Sequence, residues 1–360
     1  MIRHLYVHVP FCAHRCGYCD FVTVTGHADL HERYVAAVLA ELEQERALLA
    51  PGLATVFIGG GTPTLLGADL LGRLLDGLPA APEVTVEANP ETVDDALAAV
   101  LGARGVRVSL GAQSFGDAQL QVLERRATPE SVRAAAHRLR AAGVGNLSLD
   151  LLFGVPGQGR AELDRDLAEA LALAPEHLSC YELEAKPGTR FTHRHGAGLA
   201  RQAELLEDHY EHVIATLSAA GYRWYETANF CRDDRRAEHN LAYWTGRDYL
   251  GIGIGAVSTI GLERRTNRPS LMGFVTALEG GEAPPRSCEQ LTAEERARER
   301  LLLGLRLDVP LATAGLEHAI DPEGLARMAS LGLLEPAPGS LRLTPRGRLL
   351  ANDVVASVIA

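Results

Sequence analysis

The stretch His8-Val9-Pro10-Phe11-Cys12-Ala13-His14-Arg15-Cys16-Gly17-Tyr18-Cys19-Asp20-Phe21 decides how the rest of this 360-residue chain is read. Cys12, Cys16 and Cys19 form a C-x3-C-x2-C run on one short loop. Three thiolates so placed can hold three irons of a cubane iron–sulfur cluster, which is bound chiefly by cysteine sulfur. A cubane has a fourth iron, left open for a ligand that is not protein. Zinc sites are usually built from paired C-x2-C units with four protein ligands, and no such partner follows nearby. A 4Fe–4S cluster with an open iron is therefore the reading. Its alternative, three unrelated structural cysteines, fits poorly because Cys rarely clusters so tightly without a metal or disulfide.

Working outward, short β-rich runs alternate with helical stretches rich in Ala, Leu, Glu and Arg. Candidate strands are 5–9, 55–58, 83–87, 107–110, 146–151 and 178–181, with helical patterns over 31–49, 68–78, 92–103, 129–142 and 160–173 between them. Strands separated by helices of this length make successive βαβ units and hence a parallel sheet. Right-handed crossovers curl six such units into a partial (β/α)6 barrel, an α/β fold. The unusual residues fall at one rim of it. Gly59–Thr62, Glu87, Gln113 and Asp150 are each expected at or just beyond the C-terminal end of a strand, where active sites of parallel barrels assemble.

Past Tyr181 the pattern changes. A long helix is expected over 200–220, a strand over 222–227 and an apolar run from Asp248 into Gly251-Ile-Gly-Ile-Gly-Ala. Gly280-Gly-Glu-Ala-Pro-Pro reads as a linker. Thr292 with Glu295 is a capping-box start for a helix to 305; a helix over 321–333 and a hairpin around Pro338-Gly339 follow. Helices then a hairpin make a small winged-helix-like α+β module. The expected domains are 1–235 for the barrel, 236–285 for an associated segment, and 286–360 for the C-terminal module.

A net charge of −11 opposes general nucleic-acid binding, so the module is read as a docking or lid element. No stretch approaches the roughly 18 apolar residues needed to span a bilayer, and the start lacks a signal peptide's apolar run. A reducing, cytoplasmic location is expected. Cys180, Cys231 and Cys288 are scattered and read as small buried hydrophobes. Lys186 is the only lysine, which argues against Schiff-base chemistry.

The cysteine loop, with an aromatic residue before its last cysteine, resembles the radical S-adenosylmethionine (SAM) superfamily. Tyr6-Val-His-Val-Pro-Phe-Cys12, Gly59-Gly-Gly-Thr-Pro-Thr64 and Gly111-Ala-Gln-Ser-Phe115 are similar to the oxygen-independent coproporphyrinogen oxidase (HemN) and haem chaperone (HemW) group over nearly the whole chain. The resemblance implies that SAM chelates the open iron. It also implies that Tyr18 meets the adenine and that Tyr6 contacts SAM, although a strand tyrosine could equally be core. Gly60, Gly61 and Thr62 would admit the methionine end of SAM, since glycines let backbone approach a ligand closely. Glu87 offers a carboxylate to a ribose or amino group. Gln113, Arg125 and Asp150 match positions that hold SAM or a second SAM; Arg125 could also be a surface charge. Asp150, between leucines, needs a partner or ligand if buried.

His239-Asn240-Leu-Ala-Tyr243-Trp244 matches the family string H-N-x-x-Y-W linked to haem handling, making His239 a candidate haem ligand. Two departures separate the chain from the oxidases: Cys19 is followed by Asp20-Phe21 instead of x-Cys, and eleven residues precede Cys12 where oxidases carry an extension over the site. Both match the chaperone branch. The expectation is a haem chaperone with a SAM-chelated cluster, taking haem or a porphyrinogen as cargo and haemoproteins as acceptors; those acceptors would provide any peripheral membrane contact. The alternative is a coproporphyrinogen III oxidase, in which a 5′-deoxyadenosyl radical starts the conversion of two propionates to vinyls.

Overall fold

The computed structural model describes residues 1–186 and 190–360. Six strands follow the expected order: β1 (His4–Val9), β2 (Thr55–Gly60), β3 (Glu83–Ala88), β4 (Arg107–Gln113), β5 (Leu147–Phe153) and β6 (His177–Glu182). Each pairs in parallel with the next. The connecting helices are α1 (His31–Glu45), α2 (Gly67–Gly77), α3 (Asp95–Ala103), α4 (Asp117–Val122), α5 (Pro129–Ala141) and α6 (Arg160–Ala172). Alternation fixes which face is which. Leu5, Val7 and Val9 are buried under the helices, so Tyr6 and His8 between them point into the barrel. The same parity turns Arg107, Ser109, Gly111 and Gln113 of β4 inward.

The sheet is wider than six strands. The expected helix over 200–220 is two helices, α7 (Arg190–Ala203) and α8 (Leu206–Ala219), broken at Glu204-Leu205. The expected strand over 222–227 shrinks to β7 (Arg223–Trp224), which turns back into β8 (Asn229–Cys231). β8 pairs antiparallel with β6 and closes that edge. After α9 (Glu238–Trp244), β9 (Leu250–Ile252) joins β1 in parallel at the other edge, giving the nine-stranded order β7-β8-β6-β5-β4-β3-β2-β1-β9. The segment after 235 thus completes the barrel sheet instead of lying beside it.

A small antiparallel sheet follows, made of β10 (Val257–Ile260), β11 (Glu263–Asn267) and, beyond α10 (Leu271–Glu279), β12 (Arg286–Gln290). β12 pairs with β11, so a boundary drawn at 286 cuts this sheet; the chain leaves it only after Gln290. Cys288, expected to be buried, lies exposed on β12, whereas Cys180 and Cys231 are buried as expected. The C-terminal module comprises α11 (Ala293–Gly304), β13 (Leu311–Ala312), α12 (Pro322–Ser330), the hairpin β14 (Leu334–Ala337) and β15 (Ser340–Leu343), then α13 (Pro345–Leu349) and α14 (Ala351–Val358). Thr292 and Glu295 form the anticipated capping box. The winged-helix-like unit has its own core, including Leu305, Leu334, Leu341 and Val354. Arg348 ties it to the barrel: its guanidinium donates to the carbonyls of Trp224 and Glu226 and lies 3.5 Å from the Trp224 ring centroid.

Candidate functional site

The cysteine loop is framed by backbone hydrogen bonds on both sides. Cys12 N donates to Val24 O (2.9 Å) and Val24 N to Pro10 O (2.9 Å), while Gly61 N donates to Val9 O and Thr62 N to Phe11 O, both 2.8 Å. The glycine loop after β2 is therefore laced to the entry of the cysteine loop. Two glycines permit this. Gly60 adopts φ +108, a conformation that side chains disfavour, and a Cβ on Gly61 would sit 2.6 Å from the Pro10 carbonyl. His8 anchors the loop's far side. The Val22 carbonyl can only accept, so His8 Nε2 donates to it (2.8 Å) and Nδ1 accepts from the Tyr6 phenol (3.0 Å).

A side-chain relay joins the thiols to three strands. The Thr62 hydroxyl is 3.6 Å from Cys12 Sγ and accepts from Asn89 Nδ2 at 3.0 Å. Asn89 Oδ1 accepts from Arg125 (2.8 Å), which also donates to Gly111 O (3.1 Å) and Cys16 Sγ (3.7 Å). Arg125 is accordingly no surface charge. The three cysteines are half-buried and unpaired. Burial lifts the Cys12 and Cys19 thiols above their ordinary pKa, and neighbouring thiols push each further up.

These features suit an iron–sulfur cluster. The donors are all soft sulfur on one loop, their close approach disfavours three free thiolates, and a metal removes that penalty by taking the protons' place. Among the described residues no three His, Cys, Asp or Glu side chains converge as a single-ion site. A cubane instead spreads its cysteines over separate corners.

The loop roofs a cavity of about 480 Å³ inside the barrel. Cys12, Cys16, Cys19, Tyr18, Gly60, Gly61, Thr62, Glu87, Gln113, Arg125 and Asp150 all line it. Tyr6 does not; its ring stacks on Phe57, which does. Glu87 accepts from Gly60 N at 2.9 Å, and burial, with Asp150 adding to it, pushes its carboxyl up to about 7. Asp150 lies within β5 and not at its end, accepts from Ser109 Oγ at 3.0 Å, and is likewise raised by burial. Gln113 holds φ +66 at a β-bulge against β5, a strained backbone of the kind found at ligand sites. Among the described residues its amide has no partner, which leaves it to the cavity. Sequence reasoning missed Asn89, Arg107 and Asn240 as lining residues; the inward parity with Gln113 could have found Arg107.

His239 is placed elsewhere. It sits on α9 beneath the starts of β1–β3, 1% exposed. Thr55 Oγ1 is 2.7 Å from its Nδ1 and Tyr243 Oη 2.9 Å from its Nε2, and its backbone N–H donates to Glu83. Burial pushes its pKa down to about 3. Both ring nitrogens have hydrogen-bond partners, and in this structure His239 plugs the barrel's lower end, away from the cavity under the cysteine loop. Its neighbour Asn240 reaches the cavity.

Residues 6–170 match the radical SAM superfamily and residues 291–350 the HemN C-terminal domain. A heme chaperone HemW of Mycobacterium tuberculosis is 40% identical over 99% of this chain and 94% of its own length. One from Bacillus subtilis is 33% identical over 99% of both. The coproporphyrinogen III oxidase HemN of Escherichia coli, a radical SAM enzyme, superposes with a TM-score of 0.81 at 24% identity, covering 98% of this chain and 89% of that one. That likeness speaks to the fold.

Proposed function

The chain belongs to the heme chaperone HemW family of the radical SAM superfamily, and on that premise we propose that it binds haem and hands it to acceptor haemoproteins. The radical SAM core brings with it a 4Fe–4S cluster and SAM. Cys12, Cys16 and Cys19 would hold the cluster, and the cavity residues from Tyr18 to Asp150 would hold SAM. When bound, the cluster supplies an open iron for SAM and a one-electron redox centre. The protein's share is placement. Arg125 and Thr62 donate towards sulfur, Glu87 and Asp150 offer acceptors, and the Gly60-Gly61 backbone lies close enough to meet a ligand.

The observation that carries this reading is convergence: one cavity gathers the three thiols and every expected SAM residue except Tyr6. Over the full chain, the relatives at 33–40% identity are chaperones. No helix among the described residues is long and apolar enough to cross a membrane.

The test uses anaerobically reconstituted protein. Given SAM, a reductant and coproporphyrinogen III, it should leave the tetrapyrrole unchanged by mass. Given haem and an apo-haemoprotein, it should pass haem on. A doubly decarboxylated product, or no transfer with the cluster intact, would overturn the proposal.

A further inference from the structure

The cluster and SAM residues account for the roof and walls of the cavity, but its floor is different. Arg107 and Thr85 are register partners on β4 and β3. Arg107 is 4% exposed and Thr85 fully buried. Among the described residues no hydrogen bond or ion pair engages the guanidinium, and Arg107 Nε and Thr85 Oγ1 are both buried without partners. Thr85 shares the inward face of β3 with Glu87. Asn240 lines the same cavity from α9, its amide also without a partner among the described residues.

A guanidinium cannot shed its proton, so a buried one left unpaired is costly unless a ligand completes it. Nothing nearby does so. Asp150 feels its charge but is held by Ser109. His177 and Tyr225 also lie in its field, but His177 is kept neutral by burial and hydrogen-bonded to Ser148 and Tyr225, and burial pushes the Tyr225 phenol up. At the opposite end the mouth carries Phe21 and Tyr181, 62% and 40% exposed. The cavity therefore runs from an aromatic rim to a cationic floor, the polarity of a planar apolar ligand with an acidic arm.

We propose that Arg107, seconded by Thr85 and Asn240, is a carboxylate-binding subsite that takes that arm while the ligand's body lies against Phe21 and Tyr181. On the haem-carrying role proposed above, the arm is a haem propionate. Guanidinium and carboxylate match as two parallel hydrogen bonds.

Full-length, cluster-loaded protein is titrated anaerobically with haem and with haem dimethyl ester, and binding is read from the Soret band. The free acid should bind at least about tenfold more tightly than the ester. Arg107→Gln should bring the two together by weakening only the acid. Should that variant fail to fold, Thr85→Val, which keeps the branched shape, should shrink the preference several-fold, and Asn240→Asp should repel haem and spare the ester. Equal affinities in the wild type, or a preference that survives all three variants, would overturn the subsite and leave the chaperone reading standing. Binding of neither compound would overturn both.

Discussion

The two ends of this barrel are built from the same strands with similar residue types, yet they behave as opposites. At the lower end His4, Thr55, Tyr243 and His239 close a chain of hydrogen bonds in which each ring nitrogen of His239 has a partner. In the cavity above it, Gln113 from the rim and Arg107 and Asn240 from the floor turn polar groups inward and find no partner among the described residues. The lesson is that residue type does not mark a site. The histidine has both ring nitrogens hydrogen-bonded within the fold, while the buried arginine has no hydrogen-bond partner among the described residues.

The sharpest way to break this contrast is to remove one sulfur at the top. Cys16→Ala should reduce bound iron and the brown colour to background while the urea unfolding midpoint of the metal-free protein stays put. An intact cluster spectrum would refute the assignment. At the bottom His239→Ala should do the reverse, lowering stability by about 2–4 kcal/mol through a cavity and stranded partners and leaving the affinity for haem unchanged. A selective loss of haem binding without destabilisation would restore it as a ligand.

The two ends should also answer pH with opposite signs. The folded Glu87 carboxyl titrates near 7, above its ordinary value. Its contribution is fully present below about 4.5 and is lost as pH rises through 7, on the order of 1–3 kcal/mol. His239, pushed down to about 3, contributes above 6.5 and loses that contribution as pH falls. Urea titrations of metal-free Glu87→Gln and His239→Gln across pH 4–8 should therefore flatten opposite flanks of the stability profile. If either variant left its flank unchanged, the corresponding end would be misread. The smallest effect should come from Asn240→Ala, within about 0.5 kcal/mol in the ligand-free protein, although it adjoins His239. A larger loss would mean that its amide has a structural partner.

Much of this was legible in the sequence because it is local. The thiol spacing is contained in eight residues, and strands such as Leu147–Phe153 announce themselves as apolar runs between Ala-rich helices. The cavity wall followed once strand ends were located. What stayed hidden depends on distant partners. Thr55, which bonds His239, lies 184 residues away, so the H-N-x-x-Y-W string alone could not place His239 at the barrel's lower end. Arg107 begins its strand, where a charge reads as a solvated edge, and only the closure of the barrel turns it inward. β9 is three residues long and joins β1 across the whole sheet, too short and too remote to be foreseen. The break between α7 and α8 at Glu204-Leu205 carries no glycine or proline to announce it.

The cysteine loop is held in shape by the barrel around it. Its backbone is fastened to Val24, Gly61 and Thr62, and His8 grips Val22, all through bonds between protein groups. Small zinc domains fold only as their metal binds. Here the strands and the glycine loop share in holding the seat, so its shape is a property of the barrel's first two βα units as well as of whatever the thiols bind.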